Sequence, residues 1–138
     1  MLILRTILLG AGTAPTAELL RDAERNKVLL EFAERANAAE IAEAEKRKLK
    51  QVAEIAAEVH EALKGVDHLF IKLAKPVRYV PADVDMLTSQ PKVAAANLAK
   101  RGYRLVVMEP YIITLRKNGI NVDLYLHPSV GNIDFLRA

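Results

Sequence analysis

Cysteine is absent from the chain, which excludes disulfides, thiolate metal centres and a cysteine nucleophile at once. Histidine is scarce, with 3 residues, so a zinc site built from clustered imidazoles is not expected. No sign of charge dominates: 20 Lys and Arg stand against 17 Asp and Glu, a net charge of +3. The basic residues alternate with Glu through the first half, and no dense cationic stripe of the kind that reads duplex DNA is present. There is no internal repeat, no low-complexity tract and no linker rich in Gly or Ser.

Long apolar runs are missing as well. The opening Met1-Leu2-Ile3-Leu4-Arg5-Thr6-Ile7-Leu8-Leu9-Gly10 is too short to cross a bilayer, and its only charge sits in its middle rather than ahead of it, unlike a secretory signal. It reads as the start of a buried strand or helix, and the expected location is the cytoplasm, with no membrane partner. What is present is ordinary for a globular protein: 138 residues, 51% hydrophobic and 27% charged, enough for one domain with its own core. Abundant Ala, Glu, Lys, Arg, Leu and Val with few Gln lean towards a thermophilic source.

The pattern changes near Gly65. Before it, Thr13-Ala14-Pro15 offers a cap and first-turn proline. Leu19, Leu20, Ala23, Val28, Leu29, Phe32, Ala33 and Ala36 then recur at helical spacing. A second stripe of Ile41, Ala42, Leu49, Val52, Ile55, Ala56, Val59 and Leu63 predicts another helix, with Asn37 as the break and Gly65 as the stop. After Gly65, strands are expected over 68–73, 83–87, 103–108, 111–115 and 121–126. A helix is expected from Pro91 to about residue 101, and Asn118-Gly119 is a two-residue hairpin turn. The expected fold is α/β in the broad α+β sense: a helical segment 1–65, then a small mixed sheet flanked by helices over 66–138. The two parts are expected to form one compact body, and the amphipathic N-terminal helices offer a face for homo-oligomerisation.

Three aspartates stand out on this scaffold. Asp is depleted from strands and like charges on one face repel, yet Asp83-Val84-Asp85 enters one predicted strand and Asp123 interrupts Val122-Asp123-Leu124-Tyr125-Leu126 in another. Side chains two apart share a face, so Asp83 and Asp85 project together, with Ala82, Val84 and Met86 opposite. Asp123, Tyr125 and His127 likewise share a face. If the strands are neighbours, the three carboxylates converge and suit a hard divalent cation such as Mg²⁺.

Asp83-Val84-Asp85-Met86-Leu87, followed by Val122-Asp123-Leu124 and by the Leu98-x-x-x-Gly102-Tyr103 element between them, resembles the nucleotidyltransferase superfamily to which DNA polymerase β belongs. The resemblance covers roughly 66–130. Where that superfamily carries Gly-Ser after its first strand, this chain has Ile71-Lys72; it is more similar to a subgroup with Lys-Gly there and a helical prefix. The resemblance implies a nucleotidyltransferase fold and Mg²⁺- or Mn²⁺-dependent transfer of a nucleoside monophosphate from a nucleoside triphosphate to a hydroxyl of a protein, an RNA end or a small molecule. Asp83, Asp85 and Asp123 would be the catalytic and metal-binding residues. Lys72 would lie near the triphosphate, and Ser89, at the start of the following helix, near a phosphate. Two other roles stay open: an inactive binding or assembly module on the same fold, or an antitoxin-like partner of a ribonuclease. Each candidate also has a plain structural reading: Lys72 as an edge-strand charge, Ser89 or Thr88 as a helix cap, His127 as a strand end, and Glu109-Pro110-Tyr111 as a turn.

Overall fold

The computed structural model describes residues 16–73 and 79–126, together with the backbone of 129–130 and 133–134. The elements in chain order are α1 (Ala17–Arg25), α2 (Leu29–Arg35), α3 (Ala39–Ala62), β1 (Leu69–Ile71), β2 (Val84–Leu87), α4 (Pro91–Ala99), β3 (Arg104–Met108), β4 (Ile112–Lys117), β5 (Ile120–Tyr125), β6 (Ser129–Val130) and β7 (Ile133–Asp134). The chain is thus α+β, a helical half followed by a mixed sheet.

Thr16 starts α1: its hydroxyl oxygen accepts from the Leu19 amide at 3.2 Å, satisfying one of the orphan donors of a helix N-terminus. The expected cap at Thr13-Ala14-Pro15 lies outside the described residues. The apolar spacing through Ala36 predicts one helix, but the chain breaks it at Lys27, whose φ is +57°. There the Lys27 amide donates to Glu24 O and the Val28 amide to Ala23 O, both at 2.9 Å, the paired bonds of a Schellman stop. The same device ends α2 at Asn37, with φ +54°, as the sequence predicts. Gly65, at φ +86°, follows the last turn of α3.

The molecule divides into two compact units, Met1–Gln51 with Ala74–Val80, and Val52–Leu73 with Pro81–Ala138. Their boundary falls inside α3, not at Gly65 where the sequence pattern changes. In the first unit, Ala23, Phe32 and Ala36 form one buried cluster and Leu30, Ala33 and Ala42 another.

The second unit holds a five-stranded sheet of order β1-β2-β5-β4-β3. β2 and β5 run parallel; every other pair is antiparallel. Asn118 and Gly119 both take positive φ, +53° and +76°, as a type I′ hairpin between β4 and β5 requires. One face of the sheet carries Val84, Met86, Ile113, Leu115, Val122 and Leu124, which cluster with Val52, Ile55, Val59 and Leu63 of α3 and with Ala94 and Leu98 of α4. Alternation then turns Asp85, Asp123 and Thr114 to the opposite face. Ala82, expected with the core-facing set, is exposed because it precedes β2.

Candidate acidic site

Parallel pairing of β2 with β5 sets Asp85 directly beside Asp123. Neighbouring strands lie about 4.8 Å apart, so two carboxylates of like charge occupy adjacent positions on one face. On the other side of β5, Thr114 is the register partner of Asp123, and its hydroxyl donates to Asp123 Oδ1 at 2.6 Å. Asp83 lies just before β2, half-buried, and its charge reaches both Asp123 and Tyr125. The register thus brings Asp85 and Asp123 together, while Asp83 stands two residues before Asp85, ahead of β2.

The electrostatics follow. Burial first, and then the charges of Asp85 and Asp83, push the Asp123 carboxyl above the ordinary carboxylate range; the Thr114 hydrogen bond pulls the other way. Tyr125, two residues along β5, is pushed up to about 12 by burial and by Asp85, Asp123 and Asp83 in that order.

Lys72 brings a positive charge to this face. Its Nζ stands 3.3 Å from Asp85 Oδ2 and 5.7 Å from the centroid of the Tyr125 ring. Its backbone has φ +58°, in the left-handed region that glycine enters freely and other residues only at a cost. Lys72 follows β1, whose Ile71 pairs with Asp85, so this loop delivers the ammonium to the acidic face.

Ser89 is placed elsewhere. It lies beyond the carboxyl end of β2, where its hydroxyl donates to Asp67 Oδ1 at 2.6 Å and its amide to Asp67 Oδ2 at 3.2 Å, holding the Asp67 carboxyl below the usual range. Neither Ser89 nor Thr88 caps α4, whose capping residue, Gln90, makes no side-chain cap bond; Thr88 Oγ1 accepts from the Gln90 amide at 3.1 Å. An open cavity of about 400 Å³ adjoins them, lined by Asp67, His68, Leu69, Leu87, Thr88, Ser89 and Leu126. It sits at the opposite end of β2 from Asp83, with Leu87 one same-face step beyond Asp85. Glu109, whose amide donates to Ile112 O at 2.9 Å, closes the turn between β3 and β4. His127 lies outside the described residues.

Comparison with protein-family models, with curated proteins and with solved structures finds no match to this chain. The site is therefore read from its own chemistry.

Thr114 on the acidic face and Asp67 beside Ser89 are the residues that sequence reasoning did not single out; Tyr125 was expected only to share the face of Asp123. Thr114 was countable: a two-residue hairpin at Asn118-Gly119 pairs Lys117 with Ile120 and hence Thr114 with Asp123. Asp67 offered no such signal, because its partner is 22 residues away.

As donors for a metal, the carboxylates are of the right kind: hard, anionic oxygens, two of them side by side. Among the described residues, no three acidic or imidazole side chains surround one point as a ready-made cage. Mg²⁺ does not need one, since it retains water and is commonly held by one or two carboxylates plus substrate phosphate. The residues fit such an ion.

Proposed function

We propose that this protein is a divalent-metal-dependent nucleotidyltransferase with a nucleotidyltransferase-like fold. It transfers a nucleoside monophosphate from a nucleoside triphosphate to a hydroxyl group. The observation that carries this reading is the side-by-side register of Asp85 and Asp123, an arrangement that repulsion disfavours unless a cation is shared. Asp85 and Asp123, with Asp83 beside them, would hold Mg²⁺ or Mn²⁺. Bound there with the triphosphate, the ion would neutralise phosphate charge and polarise the phosphoryl oxygen.

The chain's own residues do the rest. Asp123, whose Oδ1 accepts from the Thr114 hydroxyl, would accept the proton of the acceptor hydroxyl at its second carboxylate oxygen. The freed oxygen bonds to the α-phosphorus while the α–β phosphoanhydride bond breaks and pyrophosphate leaves. Lys72, at 3.3 Å from Asp85, can turn to the leaving phosphates, where a positive charge is useful. The cavity at the far end of β2, about 400 Å³, is of a size that takes a small-molecule group and would house the non-reacting part of a substrate.

The test is transfer of label from radioactive nucleoside triphosphates, with Mg²⁺ and cell extract supplying acceptors, by the wild type and by Asp83→Asn. The wild type is expected to label an acceptor, and the variant to lose about a hundredfold or more, the scale of losing one preorganised electrostatic group. Label transfer that survives the substitution sinks the mechanism.

The Lys72–Asp85 ion pair favours one second reading. An ammonium already neutralises part of the acidic face, as it would in an inactive module that keeps the fold for binding or assembly. Calorimetric titration with nucleoside triphosphate and Mg²⁺ separates the two, because the inactive module gives no metal-dependent heat.

A further inference from the structure

The strand β3 lies at one end of the sheet order, with no strand beside it among the described residues. Its apolar side chains are open: Leu105 is 51% exposed, Val106 40%, Val107 38% and Met108 59%. An exposed apolar edge offers unpaired backbone amides and carbonyls to any other strand, and natural sheets cover or charge such edges. Here the charges stand only at its ends, Arg104 and Glu109.

The register makes those two charges informative. Leu105 pairs with Leu115 but Val107 pairs with Thr114, leaving Val106 as a bulge. Without the bulge, residues five apart would point to opposite faces. With it, Arg104 and Glu109 share a face, and so do Leu105 and Met108. An antiparallel, two-fold pairing of β3 with a second β3 then sets Arg104 opposite Glu109, Leu105 opposite Met108 and Val106 opposite Val107, with matching faces at both ends.

Arg104 also lies across from Arg116 within its own sheet, a like-charge pair that a carboxylate on the outer side would relieve. We propose that β3 is the interface of a homodimer, joining two sheets edge to edge through Arg104–Glu109 pairs at both ends.

Each copy has one β3, so the contact is isologous and closes on itself rather than growing into a fibre. Because opposed side chains share a face, the two-fold axis is perpendicular to the sheet. The acidic faces of both copies then point the same way.

Sedimentation velocity of the full chain tests this. The wild type is expected to be a dimer. Arg104→Glu, and separately Glu109→Arg, should weaken association roughly tenfold or more, since each substitution turns two attractive pairs into repulsive ones. The double variant R104E/E109R restores opposite charges and should return to within about threefold of the wild type. A wild type that stays monomeric at every concentration overturns the proposal. So does undiminished dimerisation of both single variants, the outcome expected if copies meet through their N-terminal helices. A double variant that keeps the wild-type circular dichroism but does not regain the dimer overturns it too.

Discussion

Asp123 is held under opposed demands. Thr114 fixes one oxygen with a 2.6 Å hydrogen bond, while burial and the charges of Asp85 and Asp83 work against ionisation. Its carboxyl titrates higher in the folded chain than in the unfolded one. The stabilising linkage is therefore complete below the unfolded value and is lost as pH rises through the folded value. Near neutral pH, without divalent cations, an ionised Asp123 costs stability. Asp123→Asn removes the charge and keeps an amide oxygen for the Thr114 hydroxyl. It should raise the melting temperature at about pH 7 by a few degrees, equivalent to roughly 1 kcal/mol in a domain of this size. The gain should shrink as pH falls through the folded-state value, where the wild-type carboxyl takes up its proton. Thermal denaturation across that range measures it. Equal effects at all pH values, or a loss at neutral pH, would mean that the acidic neighbours do not strain Asp123.

At the scale of elements, the sequence tells most where local chemistry decides. Asn118-Gly119 demands positive φ at both positions, and this one turn fixes the β4–β5 register that sets Thr114 on Asp123. Alternation in Val84-Asp85-Met86-Leu87 separates the core face from the acidic face without any tertiary knowledge. The parallel pairing of β2 with β5 could be supposed but not read, since the two strands are separated by α4, β3 and β4 and no local signal names the neighbour. Nor could the bond from Ser89 to Asp67, which depends on where a loop before β1 comes to rest. The break after α1 is not legible in the sequence for a different reason. Periodicity continues across it, and the left-handed position is held by Lys27 rather than by Gly or Asn. That leaves a strain of about 1 kcal/mol for a side chain in this region. Lys27→Gly should accordingly stabilise the chain by up to about 1 kcal/mol, since Lys27 is exposed and glycine takes this conformation without a Cβ clash. Chemical denaturation would read the change as a higher midpoint at an unchanged slope. A lower midpoint would show that unfolded-state entropy outweighs the relief.

For the whole molecule, the test of the acidic site is whether a cation stabilises a protein that is already cationic. The net charge is +3, so diffuse attraction of Mg²⁺ to the surface is weak and added salt mainly screens. A specific site behaves differently. An ion that binds only the folded chain adds RT ln(1 + [ion]/Kd), about 1.4 kcal/mol at ten times Kd, or roughly 4 °C in a chain of this length. Titration with MgCl₂ against KCl of matched ionic strength should therefore raise the melting temperature with the logarithm of Mg²⁺ concentration once Kd is passed. Asp85→Asn should flatten that rise, because it removes a carboxylate from the adjacent pair. Lys72→Ala should shift it to lower Mg²⁺ concentration, because the ammonium 3.3 Å from Asp85 competes for the same negative charge. The Lys72 variant is the discriminating arm. Loss of a merely structural ion pair would lower the melting temperature at every Mg²⁺ concentration alike, whereas relief of competition makes the difference between variant and wild type close as the ion is added. Superimposable MgCl₂ and KCl curves for the wild type would remove the metal, and with it the proposed transfer chemistry, from this fold.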